Sequence, residues 1–274
     1  YGDSTPVTYQ VETTDDGEAI DYAGDDDQET NGDGEVTITA TSTTAQADVI
    51  FTFEERDQNQ DATAEATFEA GVPDSLVVEN ITETAGDEGE ILITLEDEFD
   101  NPVPDEAVEV VDAAGIDDLD GATVDTDENG EATLAFTEQI ADVYDLFFEA
   151  TADSSVETTS NVTVEPADPD SLTVNNLTAT AGESGELTAT LVDEYGNEIE
   201  DEDIEITDAD GLSGIDNGDT ADTDENGEAS FDFDEDDTGS YIVEFGLAAI
   251  DSINDTATVT VESDATGGGG GGNS

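Results

Sequence analysis

The sequence predicts an all-β chain of tandem β-sandwich domains. Three observations carry that expectation. A set of motifs recurs at a spacing of 96 residues, apolar and polar residues alternate inside each repeat, and turn signals separate the alternating runs every 8–15 residues.

The repeat is read first. Pro73-Asp74-Ser75-Leu76 returns as Pro169-Asp170-Ser171-Leu172, and Thr84-Ala85-Gly86 returns as Thr180-Ala181-Gly182. Leu95-Glu96-Asp97-Glu98-Phe99-Asp100-Asn101 returns as Leu191-Val192-Asp193-Glu194-Tyr195-Gly196-Asn197. The block Thr126 to Ala132 returns as Thr223 to Ala229, with the offset now 97. This register divides the chain into a partial domain at 1–71, two full domains at 72–166 and 167–264, and a Gly-rich linker at 265–274.

Each element then follows from a period of two. Ile91, Ile93 and Leu95 alternate with Leu92 and Thr94, as Leu187, Ala189 and Leu191 do with Thr188 and Thr190. Further strands are expected at Ala132, Leu134 and Phe136 (Ala229, Phe231 and Phe233), at Tyr144, Leu146 and Phe148 (Tyr241, Val243 and Phe245), and at Val162 and Val164 (Val259 and Val261). Alternation of this kind marks strands with one buried and one wet face. Asp-Asn-Pro at 100–102, Tyr-Gly-Asn at 195–197 and Asn-Gly at 129–130 and 226–227 supply the turns, the Asn-Gly pairs reading as hairpin turns with positive φ.

Residues 1–71 read as the same domain without its first strands. Val36, Ile38 and Ala40 stand in for Ala132, Leu134 and Phe136, while Val49, Phe51 and Phe53 stand in for Tyr144, Leu146 and Phe148. Ala66 and Phe68 match Val162 and Val164, Tyr1-Gly2-Asp3 matches Tyr195-Gly196-Asn197, and Val7-Thr8-Tyr9 matches Ile204-Glu205-Ile206. Counterparts of 76–79 and 91–95 are missing, which leaves the sheet containing Val36 to Ala40 with an open edge, to be completed by preceding residues or by a donor strand from a neighbouring subunit.

Composition restricts the function classes. The chain carries 77 Asp and Glu against one Arg, no Lys and no His, for a net charge of −76. Charge of that magnitude opposes compaction in dilute buffer, and by charge and hydropathy alone the chain reads as disordered. Multimolar salt shortens the Debye length to about 3 Å and removes most of that repulsion. The acidity therefore reads as adaptation to salt, and it resembles the composition of proteins from halophilic archaea. A single Arg makes no cationic surface to meet phosphate, which argues against nucleic acid as a partner. There is no Cys for a disulfide or a thiolate metal site. No apolar run reaches the ~20 residues of a membrane span.

Taken together, Thr-Ala-Gly, an alternating strand ending in Leu-x-Asp-x-x-Gly-Asn, the segment Thr-Asp-x-x-Gly-Glu-Ala and an aromatic-rich strand resemble the bacterial Ig-like domain of the invasin and intimin type, Big-1. The resemblance covers both full repeats and most of the partial one. It implies an immunoglobulin-like β-sandwich serving as a spacer or adhesive stalk at a cell surface. The surface here is far more acidic than in the bacterial relatives, so no adhesive face carries over.

Without His, Cys or Lys, most general bases and nucleophiles are missing, and the chain reads as non-catalytic. Two segments resemble the first half of a calcium loop, with Asp125, Asp127 and Asn129 in one and Asp222, Asp224 and Asn226 in the other. Phe136 and Phe233 stand where the bidentate Glu belongs, so these segments read as turns, with weak calcium or sodium binding as the alternative and no cofactor required. Asn-x-Ser/Thr sequons at Asn80, Asn161, Asn176 and Asn254 are glycosylation candidates.

The function expected is that of an extracellular structural module: a spacer, stalk or building block of a cell-surface layer or filament. Its partners would be other copies of itself or neighbouring surface-layer subunits. The alternative is an adhesion or receptor-binding module, including a fibre or tail component on the virion of a virus of a halophilic host.

Overall fold

The computed structural model describes residues 8–13, 20–23, 28–29, 35, 37–55 and 60–264. Among them every regular element is a strand, as the alternation predicts. In the first repeat lie β1 (Thr8–Thr13), β2 (Ile20–Ala23), β3 (Gln28–Glu29), β4 (Thr39–Ser42), β5 (Gln46–Glu55) and β6 (Gln60–Phe68). The second repeat holds β7 (Pro73–Val78), β8 (Ile81–Thr84), β9 (Glu88–Asp97), β10 (Ala107–Asp112), β11 (Thr123–Asp125), β12 (Glu131–Thr137), β13 (Asp142–Ala150) and β14 (Asp153–Glu165). The third holds β15 (Pro169–Val174), β16 (Leu177–Thr180), β17 (Ser184–Asp193), β18 (Asp203–Asp208), β19 (Thr220–Asp222), β20 (Glu228–Asp234), β21 (Gly239–Leu247) and β22 (Ile250–Glu262). Contacts gather the chain into two compact units that cut through the middle repeat. One comprises Tyr1–Ile81, Glu90–Phe136 and Tyr144–Val162, and the other Thr82–Gly89, Thr137–Val143 and Thr163–Ser274.

In the second unit the strands form a three-stranded sheet ordered β15-β17-β20 and a five-stranded sheet ordered β16-β22-β21-β18-β19. Alternation places the core between them: Ala229, Phe231 and Phe233 of β20 are buried, while every residue between them is exposed. They meet Leu187, Ala189 and Leu191 from β17, Ile204 and Ile206 from β18, and Val243 and Phe245 from β21. The rings of Phe231 and Phe245 pack 5.5 Å apart at 60°, a tilted arrangement that suits the ring quadrupoles. All pairings here are antiparallel except that of β16 with β22, which runs parallel from Leu177 opposite Val259 to Thr180 opposite Glu262.

The first unit repeats these registers. Leu76 faces Leu95 between β7 and β9, as Leu172 faces Leu191 between β15 and β17. Val110 faces Phe148 between β10 and β13, as Ile206 faces Phe245 between β18 and β21. Even the irregularities recur, at Pro73/Ser75 and Pro169/Ser171, where a proline without an N–H opens a strand.

A second kind of core residue escapes the period of two. Ala113, Ile116 and Leu119 lie between β10 and β11 at a spacing of three and are buried. Successive turns carry them, Ile116 N–H donating to Ala113 O and Leu119 N–H to Ile116 O. Ala209, Leu212 and Ile215 take the same place in the third repeat.

Three expectations are corrected. β1 pairs with β5 so that Val11 faces Phe53, the counterpart of Ile206 facing Phe245. Val11, and not Tyr9, therefore corresponds to Ile206. A slip of two residues keeps every side chain on the same face, so alternation cannot detect it. The edge strand β4 also has a partner in the same chain, because Tyr22 of β2 faces Ala40. Finally, the Asn-Gly turns are not hairpins: β19 pairs with β18 but β20 pairs with β17, so the turn between them crosses from one sheet to the other. Tyr1-Gly2-Asp3, Val36 and the linker 265–274 lie outside the described residues.

Candidate functional site

Among the described residues one turn chemistry occurs four times. In the first segment that resembles half of a calcium loop and reads as a turn, Asp127 Oδ1 accepts the N–H groups of Asn129 (2.8 Å) and Glu131 (3.1 Å), and Gly130 N–H donates to Asp127 O. Asp224 does the same with Asn226 (2.9 Å), Glu228 (3.0 Å) and Gly227. Asp at the first position and Gly at the fourth are what a type I turn favours. Only the Gly has positive φ, 69° at Gly130 and 67° at Gly227. These bonds to backbone N–H groups hold the carboxyls of Asp127 and Asp224 below their usual range. Asp125 and Asp222 sit on β11 and β19. Asp203 faces Asp222 across the ladder, and its carboxylate holds Asp222 above the usual range. Among the described residues no group of three or more Asp or Glu side chains is placed to hold a metal ion.

The other two turns follow Asp97 and Asp193, the last residues of β9 and β17, and here the same chemistry goes inward. Asp97 is 3% exposed. Its Oδ1 accepts from Phe99 N–H (2.9 Å) and Asn101 N–H (3.0 Å), and its Oδ2 accepts from Gly71 N–H (2.7 Å). The Asn101 amide donates to both carboxylate oxygens and also to Thr43 O (2.9 Å), while its Oδ1 accepts Ala45 N–H (2.8 Å). Asn101 thereby ties the turn after β9 to the 43–45 loop of the preceding repeat, all within the first unit.

The second unit reproduces the arrangement, except that the Asn197 amide donates to one oxygen of Asp193 where Asn101 donates to both of Asp97. Asp193 accepts from Tyr195, Asn197 and Ala167 N–H groups. Asn197 donates to Asp193 (2.7 Å) and to Gln139 O (2.8 Å) and accepts from Ala141 N–H (2.8 Å). Burial by itself would raise both carboxyls. The N–H of Gly71, the Asn101 side chain and the turn amides outweigh it and lower Asp97, and the Asn197 side chain, Ala167 N–H and the turn amides do so for Asp193. Beside this clasp, Tyr195 lies against Gly86, where any added Cβ would collide with the phenol ring. Burial there, then the neighbouring Glu194, raises the Tyr195 hydroxyl.

In the sequence Asp97, Asn101, Asp193 and Asn197 stand out as repeat markers, and Asn101 and Asn197 as turn residues, but none of them as a site. A carboxylate and an amide four residues apart in both repeats was the available signal. Partners 56 and 58 residues away are invisible to local pattern.

The sequons divide by geometry. Asn80 Oδ1 accepts Asn161 N–H (2.9 Å) and Asn176 Oδ1 accepts Thr258 N–H (2.7 Å), so each bond uses the oxygen and not the nitrogen that a glycan would occupy. Asn161 is half-buried and its Nδ2 donates to Asp145. Asn254 Nδ2 donates to Asp251 O (3.2 Å).

Comparison with solved structures gives extended matches. FdeC, an Escherichia coli adhesin, aligns at a TM-score of 0.55 and 19% identity over 93% of this chain and 86% of its own. The fold is immunoglobulin-like. InvD of Yersinia pseudotuberculosis aligns at 0.53 and 14% identity over 93% of this immunoglobulin-like chain and 86% of its own. Invasin, a bacterial integrin-binding protein, aligns at 0.50 and 16% identity, and this chain spans about half of it, 53%. Identities this low carry the fold alone. No protein-family model and no curated protein sequence matches the chain.

Proposed function

We propose that this chain is a non-catalytic structural module of an extracellular surface, a spacer, stalk or building block of a surface layer or filament adapted to high salt. The observation that carries the reading is the duplicated Asp–Asn clasp. A repeat protein whose task is to set a spacing needs each repeat fastened to the one before it, and identical fastenings at Asn101 and Asn197 meet that need. The acidic composition supports a salt-rich medium. Copies of the chain or neighbouring surface subunits are the partners of this reading. Antibody labelling of intact source cells in growth salt tests it: labelling without lysis is expected, and labelling only after lysis would overturn it.

Adhesion or receptor binding is the second reading, favoured by FdeC being described as an adhesin and invasin as an integrin-binding protein. A virion fibre is one form of it. Saturable binding of the purified chain to host cells would select it over the spacer reading.

If the surface is glycosylated, Asn80 and Asn176 are the acceptors the geometry favours, because their side-chain oxygens are anchored while their nitrogens take no part in those bonds. Glycopeptide mass spectrometry should find glycan at these two positions and none at Asn161. Glycan at Asn161 alone would contradict the assignment.

A further inference from the structure

The outer face of the five-stranded sheet in the third repeat departs from that of the second around one glycine. Glu205 of β18 faces Gly246 of β21, and Gly246 faces Asn254 of β22. In the second repeat Glu109 faces Glu149 at the matching position, and Glu157 stands where Asn254 does. Two carboxylates of a row of three are therefore replaced, one by an amide and one by no side chain at all. Their neighbours change with them: Thr207 and Glu244 stand where the second repeat has Val111 and Phe147.

Neither the backbone nor the packing requires that glycine. Gly246 is not among the residues with positive φ. A Cβ built on it would meet Thr207 Cγ2 at 3.4 Å and Ile253 O at 3.8 Å, both ordinary van der Waals distances. Glycine inside a strand weakens the strand, and it marks places where a ligand approaches the backbone closely. The space left open is a cavity of about 420 Å³, with Glu205, Thr207, Glu244, Gly246 and Asn254 in its lining. That volume lies within the roughly 300–1,000 Å³ of small-molecule sites. Asn254 also opens the sequon Asn254-Asp255-Thr256, where the second repeat has Glu157-Thr158-Thr159. Its side chain is exposed, and Nδ2 donates to Asp251 O (3.2 Å). The third repeat thus combines an acceptor asparagine, an empty position across the ladder from it and a rim able to hydrogen-bond.

We propose that this cavity is the seat of a saccharide carried by Asn254 itself. The inference rests on the extracellular reading, because the chain must meet a glycosyltransferase and a phosphate-activated saccharide. In the attachment, Asn254 Nδ2 loses one proton and bonds C1 of the first sugar. The C1–O bond to the donor's phosphate breaks, and the phosphate leaves with that oxygen and takes up the proton. The linked nitrogen keeps one N–H, enough to retain the bond to Asp251 O. The first sugar then lies over Gly246, its hydroxyls donating to the carboxylates of Glu205 and Glu244 and bonding the Thr207 hydroxyl. Asn254 is in this way a third acceptor beside Asn80 and Asn176, distinguished from them by a seat for what it carries.

The test uses the chain purified from its source cells and kept in ~2–4 M NaCl, where charge repulsion is screened. Glycopeptide mass spectrometry should find a saccharide on Asn254. Amide exchange at Glu244–Leu247 and Asp251–Thr256 should be slower than in Asn254→Gln from the same cells by roughly 2–10-fold, the worth of one hydrogen bond. Gly246→Glu, which restores the side chain of the second repeat, should keep the saccharide on Asn254 and lose that slowing. Thr207→Val should reduce the slowing while leaving the melting temperature of an Asn254→Gln chain unchanged. A bare Asn254 would overturn the proposal, and slowing of the same amides by free glucose would then show that the cavity takes its saccharide from elsewhere. So would a saccharide on Asn254 with exchange insensitive to Asn254→Gln or to Gly246→Glu. Antibody labelling of intact cells decides the surface reading separately: cells labelled at the surface with Asn254 bare would sink this inference alone.

Discussion

Asp97 and Asp193 show how a carboxylate is kept buried at a turn. Each carboxylate is buried, yet each accepts backbone N–H bonds from a tight turn and from the segment entering the repeat. Replacing Asp97 by Ala removes the acceptor of the Gly71 N–H and of the Asn101 amide, which keeps only Thr43 O, and should destabilise the chain by about 1–3 kcal/mol in denaturant unfolding at high salt. The sign of the pH dependence follows from the lowered pKa values. The folded carboxyls titrate below the ordinary 3.8, so their contribution is complete above that value and is lost as pH falls from it through the folded pKa. Below pH ~4 the wild-type stability should therefore fall more steeply than that of Asp97→Asn, measured as the denaturation midpoint against pH. Equal slopes would show that the clasp does not hold an ionised Asp97.

At the scale of the element, the Asp-Glu-Asn-Gly turns carry the chain from one sheet of the sandwich to the other. Gly130 N–H closes the turn on Asp127 O, and Gly130 O accepts Leu95 N–H (2.9 Å), locking the turn to β9. A Cβ built at Gly130 would come within 2.6 Å of Leu95 O, and φ is 69°. Gly130→Val should therefore destabilise by at least ~1 kcal/mol. Because the Asp127 carboxylate already serves the turn amides, removing calcium at constant ionic strength should leave the melting temperature unchanged. A calcium-dependent rise in melting temperature, lost in Asp125→Ala and Asp127→Ala, would establish the ion site instead.

For the whole molecule, the opposing terms are burial and charge. A fully buried Phe, Leu or Ile contributes about 1.5–3 kcal/mol, and the third repeat alone buries Leu187, Leu191, Ile204, Ile206, Phe233 and Phe245. Against this stands the mutual repulsion of a net charge of −76, which acts over a Debye length of about 10 Å at 0.1 M salt and about 3 Å at 1 M. Cooperative β-type circular dichroism melting is expected in ~2–4 M salt and its loss below ~0.5 M. A melting temperature unchanged in dilute buffer would remove the case for salt adaptation.

The strands of both full repeats were legible because a two-sided strand writes its burial into every second residue, and Ile91 to Leu95 or Phe231 to Phe245 need no tertiary information to be placed inside. The repeat spacing likewise placed the turns, since an Asp-x-x-Gly motif closes on itself. Other features depended on partners distant in sequence. Whether Asn-Gly joins two paired strands or crosses between sheets depends on which strand each neighbour pairs with. A two-residue slip between Tyr9 and Val11 preserves the face and so leaves no trace in the pattern. Ile116 and Leu119 are buried by turns at a spacing of three, outside the period of a strand. The clasp was written in the sequence as residues and not as a site, because Asp97 and Asn101 acquire their role only when folding brings Gly71, Thr43 and Ala45 within hydrogen-bond distance.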